Sequence, residues 1–274
     1  MPASDRKSRQ LVAKLHEGAM GAVRDAGAIA MHYYGKELKV WNKPNDAGPV
    51  TEADYALDQY LKDKLSAIDR QAGWLSEESE DNPRRLSRDR VWIVDPLDGT
   101  RAFIRSRPAF SISVALVAKG EPIVGIVFNP AKNEMYDAIA GQGARLNGKR
   151  LMTRDRAKLE GATVLAYRDL IASSRWKEPW PPVETRMFNS IAYRLALVAA
   201  GTVDACISIN PKSDWDIAAG DLIVREAGGV VSDCTGSEFT YNRESVLHPH
   251  VLAASRALHE QILQRFDGFS FRDK

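Results

Sequence analysis

Residues Trp92 to Phe103 read WIVDPLDGTRAF, an apolar run that ends in two aspartates, Asp95 and Asp98, followed at once by Gly99 and Thr100. Arg90–Val94 has the composition of a buried strand that stops where the aspartates begin. Pro96 fixes the backbone between them, so both carboxylates can converge on one point. Like charges a few ångströms apart raise each other's pKa, which makes such convergence costly unless a cation is present. A hard divalent ion such as Mg²⁺ relieves the repulsion with carboxylate oxygens and keeps waters that a phosphate can replace. Asp95–Gly99 equally fits a plain β-turn, and from these five residues alone both readings stand. Gly99 lets backbone approach a ligand closely. N–H groups of Gly99-Thr100 at the opening of a helical turn can bind an anion, and the Thr100 hydroxyl is placed to hydrogen-bond an attacking water.

Outward from this stretch the chain divides in two. On its N-terminal side, Leu11, Val12, Leu15, Ala19, Ala22, Val23, Ala26 and Ile29 recur at helical spacing and predict a helix over Ser8–Tyr34 that stops at Gly35. After a polar link over Lys43–Gly48, Thr51-Glu52-Ala53-Asp54 has capping-box spacing and opens a helix to Ile68. Trp74-Leu75 is a short strand before the acidic run SEESED. Beyond it, Phe110–Ala118 and Pro122–Asn129 form a hairpin around Lys119-Gly120, Glu134–Ile139 is another strand, and Gly141, Gly143, Asn147 and Gly148 mark turns. The second half alternates strand and helix: strands over Ala162–Tyr167, Ala205–Ile209 and Gly229–Ser232, helices over Ser190–Ala200, Asp214–Ala227 and Leu258–Arg265. That is α/β layering after an α+β half. A polar stretch over Arg150–Leu159 separates them, giving domains 1–152 and 153–274. EPWPP, around Pro179–Pro182, reads as an exposed loop.

The composition narrows the function classes. With 274 residues, 44% apolar, the chain can bury one large core or two smaller ones. Thirty-eight basic and 36 acidic side chains leave a net charge of +2, which argues for neither nucleic acid nor membrane as a direct partner. The arginines over Asn82–Arg90 read as a solvated surface loop. Two cysteines, Cys206 and Cys234, make no disulfide framework and no zinc spacing, and fit a reducing cytoplasm. The charged N-terminus lacks the apolar core of a signal peptide, and no apolar run is long enough to span a membrane.

Further acidic sites lie far away in sequence. Glu77 and Glu78 follow the short Trp74-Leu75 strand, and Ser213-Asp214-Trp215-Asp216 begins WDIAAGDLIVREAGG. SEESED also fits a solvated loop, and Asp54 and Asp216 also fit helix caps.

Taken together, four segments carry a resemblance that covers nearly the whole chain. WIVDPLDGTRAF and SDWDIAAGDLIVREAGG are similar to the two signatures of the inositol monophosphatase superfamily, and GPVTEAD and WLSEES are similar to its N-terminal elements, in the same order. The resemblance implies an α/β (α+β) fold, a layered αβαβα sandwich of the inositol monophosphatase/fructose-1,6-bisphosphatase type. It implies a Mg²⁺-dependent, lithium-inhibited phosphomonoesterase with two to three ions per site, acting on a small-molecule phosphate ester, and a homodimer. By motif, Glu77, Asp95 and the Leu97 carbonyl would hold a first ion. Asp95, Asp98 and Asp216 would hold a second, and Glu77 part of a weaker third. Asp54 and Thr100, with Glu77, make up the catalytic, water-activating set. Gly99 and Thr100 would cradle the phosphoryl oxygens. The family often has Asn or Ser before the signature phenylalanine; Arg101-Ala102 stands here, a departure that bears on substrate contacts.

The substrate is less legible. Inositol phosphatases usually place a carboxylate shortly before the Trp-Asp pair. Ile209–Ser213 has none and carries Lys212, a cation suited to a second phosphate. PKSDWDIAAGDLI is similar to bacterial 3'(2'),5'-bisphosphate nucleotidases, which convert 3'-phosphoadenosine 5'-phosphate to AMP. The reading leans that way over an inositol-1-monophosphatase. Tyr167, Arg168 and Ser190 occupy segments that line the substrate side in relatives, and Tyr167 could stack on a base. Some similar bacterial proteins are partners in transcription and ribosomal RNA maturation, an expectation of another class.

Overall fold

The structure, a computed structural model, describes residues 3–43 and 48–271. The interior of the link read over Lys43–Gly48 therefore lies outside the described residues. In chain order the elements are α1 (Ala3–Tyr33), β1 (Val40–Asn42), β2 (Pro49–Thr51), α2 (Glu52–Ile68), β3 (Gly73–Ser76), a 3-10 turn (Pro83–Ser87), β4 (Arg90–Asp98), α3 (Thr100–Ile104), β5 (Ser111–Ala118), β6 (Glu121–Asn129), β7 (Glu134–Ile139), β8 (Ala144–Leu146) and β9 (Lys149–Arg150). The second half continues with β10 (Thr163–Leu165), α4 (Arg168–Ile171), β11 (Glu184–Arg186), α5 (Ile191–Ala199), β12 (Ala205–Ser208), β13 (Lys212–Ser213), α6 (Asp214–Glu226), β14 (Gly229–Ser232), β15 (Leu247–His248), β16 (Val251–Ser255) and α7 (Arg256–Arg265).

Two sheets organise the layers. One has seven strands in the order β3-β4-β5-β6-β7-β8-β9, the other five in the order β11-β10-β12-β16-β14. Both are covered on both faces over their central strands, and this explains why β4, β5 and β12 are apolar almost without interruption while the edge strands β9 and β11 are polar. On β4, Trp92 and Val94 point into a core shared with α1 and α2, while Val91 and Ile93 point into a core shared with α5 and α6. β5 alternates likewise, Ile112, Val114 and Leu116 on the first side and Ala115 and Val117 on the second. In the smaller sheet, Cys206, Val251 and Ala253 face α5 and α6, and Ile207, Leu252 and Ala254 face α7. The result is the αβαβα sandwich, with α5 and α6 as the central layer.

That central layer lies close because two glycines allow it. A Cβ on Gly125 of β6 would stand 2.7 Å from the Ala219 carbonyl oxygen of α6, and one on Gly220 would stand 2.7 Å from the Leu195 side chain of α5. A single hydrophobic cluster runs from the seven-stranded sheet through α5 and α6 to the smaller sheet, so one core crosses the break in composition at Arg150–Leu159.

Two readings change. β4 continues through Asp98 instead of ending at Val94, because a bulge carries the pairing past Pro96. Arg85 is not solvated: it is 2% exposed, held by Asp81 through Nε at 2.7 Å and bonded to Asn242 Oδ1 at 2.7 Å.

Candidate metal-dependent active site

The β4 bulge aims the two aspartates. Asp95 pairs with Ser113 and Asp98 with Ser111, so three steps on β4 oppose two on β5. In a regular strand, residues three apart face opposite sides; the extra residue turns both side chains to one side. Gly99 then has φ 97°, and a Cβ there would lie 3.0 Å from the Ala109 carbonyl oxygen and 3.2 Å from the Ser190 nitrogen. Only glycine fits this turn into α3, which begins at Thr100.

The remaining carboxylates arrive from three other elements. β3 runs parallel to β4, and the Glu77 N–H donates to the Val94 carbonyl at 3.2 Å, which sets Glu77 beside Asp95. Asp216 lies in the first turn of α6 and accepts the Ser213 N–H on Oδ2 at 2.6 Å. Asp54, in the first turn of α2, accepts the Thr51 N–H and hydroxyl on Oδ2 at 2.8 and 2.6 Å, and the Thr100 hydroxyl on Oδ1 at 3.0 Å. For Asp54 and Asp216 capping and a place in the site do not compete, because each caps with one oxygen.

Oxygens of Asp95, Asp98 and Asp216 lie within 4.8 Å of one another. Asp98 Oδ2 accepts from the Ser190 hydroxyl at 2.6 Å and the Ala192 N–H at 2.7 Å, and Asp95 Oδ1 from the Leu97 N–H at 3.0 Å. Burial, then the charges of Glu77, Asp98 and Asp216, push the Asp95 carboxyl well above its ordinary range. Burial and Asp216 push Asp98 up to about 7, against the pull of Ser190 and Ala192. Desolvation raises Asp216 to about 6, with Lys212 opposing and Glu77 assisting. Desolvation also raises Asp54, outweighing its three hydroxyl and backbone donors. These shifts are what a set of crowded carboxylates shows without a counter-charge. An all-oxygen donor set of this kind fits Mg²⁺.

Beside this cluster, Lys43 Nζ donates to Glu77 Oε1 at 2.7 Å and Glu78 Oε1 at 2.6 Å. The Glu78 side chain is only 5% exposed, and burial raises its pKa to about 7 although Lys43 opposes this. A cavity of about 150 Å³ opens over the cluster, lined by Glu77, Asp95, Leu97, Asp98, Gly99, Thr100, Asp216 and also Gly48, Pro49, Arg101 and Asn189.

Most of the residues expected from sequence thus meet: Asp54 reaches the cluster through Thr100, and Glu77, Asp95, Leu97, Asp98, Gly99, Thr100 and Asp216 line one cavity. Of the expected substrate contacts, Gly99 and Thr100 line the cavity and the others do not. Ser190 is fully buried, and its hydroxyl joins Asp98 and Ser111 instead of the cavity. Tyr167 is 58% exposed at the start of α4, with no hydrogen bond or ring contact from its side chain among the described residues. Lys212 is half-buried, donates to the Pro211 carbonyl at 3.0 Å and lies close enough to Asp216 to lower its pKa. Nothing local in the sequence marks Lys43 or Asn189 as site residues, whereas Arg101 adjoins Thr100 and had that signal.

A family model described as the inositol monophosphatase family matches residues 11–268. The Nus factor SuhB of Escherichia coli (strain K12) is 36% identical over 228 residues, 80% of this chain and 84% of that protein. Inositol monophosphatase 2 of Solanum lycopersicum is 33% identical over 247 residues, 85% and 93% of the two chains. Among solved structures, the Thermotoga maritima IMPase superposes with a TM-score of 0.77 at 31% identity, covering 90% of this chain and 94% of that one.

Proposed function

The chain belongs to the inositol monophosphatase family and is a phosphatase, and we propose that it hydrolyses a small phosphate monoester with Mg²⁺ held by Glu77, Asp95, the Leu97 carbonyl, Asp98 and Asp216. The observation that carries this reading is the convergence of Asp95, Asp98 and Asp216 within 4.8 Å at a cavity floor. Bound there, the cation supplies neutralisation of the ester's charge and acidification of a water.

The chain's own residues do the rest. The Thr100 hydroxyl has one proton, and directing it to Asp54 at 3.0 Å leaves its lone pairs free to accept from a water. Asp54 is thereby a proton acceptor one residue removed from the nucleophile, and burial raises its basicity. Among the described residues the cavity is lined by no cysteine or histidine, which is consistent with water as the nucleophile. Arg101 and the backbone at Gly99 and Thr100 face the space a phosphoryl group would fill.

For the alcohol, Lys212 near Asp216 supports a second anionic group, hence a 3'(2'),5'-bisphosphate nucleotide. A second reading, inositol 1-phosphate, is supported by the relative named for inositol monophosphate that aligns with 85% of the chain. The deciding assay is phosphate release from 3'-phosphoadenosine 5'-phosphate and inositol 1-phosphate side by side with Mg²⁺, with and without lithium. Faster release from the nucleotide upholds the first reading; faster release from inositol 1-phosphate replaces it with the second. Asp95→Asn is expected to abolish turnover while the protein stays folded, and near-normal activity in that variant would remove the metal assignment. The relative named Nus factor motivates one further expectation, copurification with transcription factors that survives Asp95→Asn. We also expect a homodimer, and light scattering at the monomer mass of 30.4 kDa would exclude it.

A further inference from the structure

Asp216 comes from a different layer than Glu77, Asp95 and Asp98, and a buried polar chain unused by the chemistry joins the two sources. Its centre is Asp214, the first residue of α6, which is fully buried. Asp214 Oδ2 accepts the Asn242 N–H at 2.7 Å, Oδ1 lies 2.7 Å from His248 Nε2, and its own N–H donates to the Val246 carbonyl at 2.9 Å. His248 is 2% exposed, on β15 against β13, with the Phe239 ring 4.9 Å away. The chain continues through Asn242, whose side-chain oxygen accepts Arg85 Nη1 at 2.7 Å, while Arg85 Nη2 donates to the Arg243 carbonyl at 3.1 Å. Arg85 in turn rests on β3: a Cβ on Gly73 would stand 3.0 Å from Arg85 Cβ. β3 is the strand that delivers Glu77.

We propose that Asp214, gripped by Asn242 and His248 and tied through Arg85 to β3, is a positioning residue that fixes the start of α6 and so sets Asp216 against Glu77, Asp95 and Asp98. The inference rests on the metal reading above. It follows from reach: Asp216 is two residues from Asp214 in the same helical turn, so any tilt of that turn moves its carboxylate relative to ligands anchored on the other sheet. Outer partners that orient ligands typically change metal affinity about 10- to 100-fold when removed.

The test is calorimetric titration of the full chain with Mg²⁺ alone, paired with thermal unfolding. Asp214→Ala is expected to weaken Mg²⁺ binding at least tenfold. Asp214→Asn keeps an acceptor for the Asn242 N–H and is expected to recover most of the loss. Tyr241→Phe cuts a separate tie between the same loop and α6, the 2.8 Å bond to Asp221, and should lower the melting temperature without changing Mg²⁺ affinity. If Asp214→Ala does not fold, Asn242→Gly replaces it: glycine suits φ 56° at that position, keeps the N–H donated to Asp214 and removes the side-chain bond to Arg85, leaving only the Arg243 carbonyl to hold that guanidinium to the loop. A threefold or larger loss of Mg²⁺ affinity is expected there. Wild-type-like Mg²⁺ binding in the disrupted variants, or a loss that merely follows melting temperature through Tyr241→Phe, overturns the inference alone. A wild-type protein that takes up no Mg²⁺ overturns the metal reading as well.

Discussion

Replacing Asp98 by asparagine should stabilise the metal-free protein at alkaline pH while destroying its function. The substituted amide keeps a carbonyl oxygen for both donors that hold Asp98 Oδ2, the Ser190 hydroxyl at 2.6 Å and the Ala192 N–H at 2.7 Å, so the local packing survives. What the change removes is a charge crowded by Asp95 and Asp216 within 4.8 Å. The sign follows from linkage: the folded pKa, about 7, lies above the ordinary 3.8. The stability held below pH 3.8 is therefore lost progressively as pH rises through about 7, and the charged form is disfavoured above it. At about 1.36 kcal/mol per pKa unit the ionised carboxylate carries at most about 4 kcal/mol at pH 8. Because Asp95 and Asp216 share the same repulsion and can relax when one member is gone, the expected net gain is about 2 kcal/mol, or about 4–8 °C in melting temperature for a chain of this size. Urea unfolding in EDTA at pH 8 and pH 5 reads it directly, with a large gain at pH 8 and a small one at pH 5. With saturating Mg²⁺ the order should reverse, since the wild type alone gains full binding energy. An Asp98→Asn protein less stable than wild type in EDTA at pH 8 would refute the view that these carboxylates repel one another in the absence of a cation.

Three other substitutions probe separate parts of the structure. Thr100→Val should lower kcat about 10²- to 10⁴-fold with little change in unfolding midpoint, and Thr100→Ser should restore most of it, as the Asp54 partner needs a hydroxyl and not a methyl. Asp221 is buried on α6, and its pKa rises to about 6 through burial despite Arg225 and Tyr241. The stability of wild type relative to Asp221→Asn should therefore fall as pH increases from about 4 to 6, as read by urea midpoints across that window. Gly125→Ala places a methyl 2.7 Å from the Ala219 carbonyl oxygen and should cost about 1–3 kcal/mol in chemical unfolding, with Asp216 displaced because α6 must lift from the sheet.

The layers are legible because strands covered on both faces have to be apolar along both sides, and β5, β6 and β7 stand out on that ground. The hairpin and the helices α2 and α6 follow from local chemistry, the Lys119-Gly120 turn and the Thr51 and Ser213 caps. Short pieces such as β13, β15 and α4 escape, since two to four residues carry no period; their pairing is imposed by segments distant in sequence. The acidic residues can be singled out individually, but Asp54 and Asp216 cannot be separated from caps by sequence reasoning, because they are caps. Ser190 shows the limit most clearly. Its hydroxyl serves a carboxylate 92 positions earlier, and no local pattern encodes which residue a buried hydroxyl will meet. Arg85 misleads for the same reason: an arginine in a polar segment looks solvated until Asp81 and Asn242 are seen to enclose it.

The bulge in β4 sets a particular kind of vulnerability. It depends first on how many residues lie between Asp95 and Asp98, so loss of one position does more harm than a conservative replacement of Pro96 or of the buried Leu97. Deleting either residue would let β4 and β5 pair in unbroken register, a more regular sheet that keeps both aspartates on one face but loses the bulged backbone that presents the Leu97 carbonyl to the cavity and to the Thr100 hydroxyl. The fold could then survive, even improve, in a lineage that had lost its chemistry in one step. A fixed spacing between the two aspartates, more than the identity of what fills it, is therefore the signature by which catalytic descendants of this architecture can be told from inert ones.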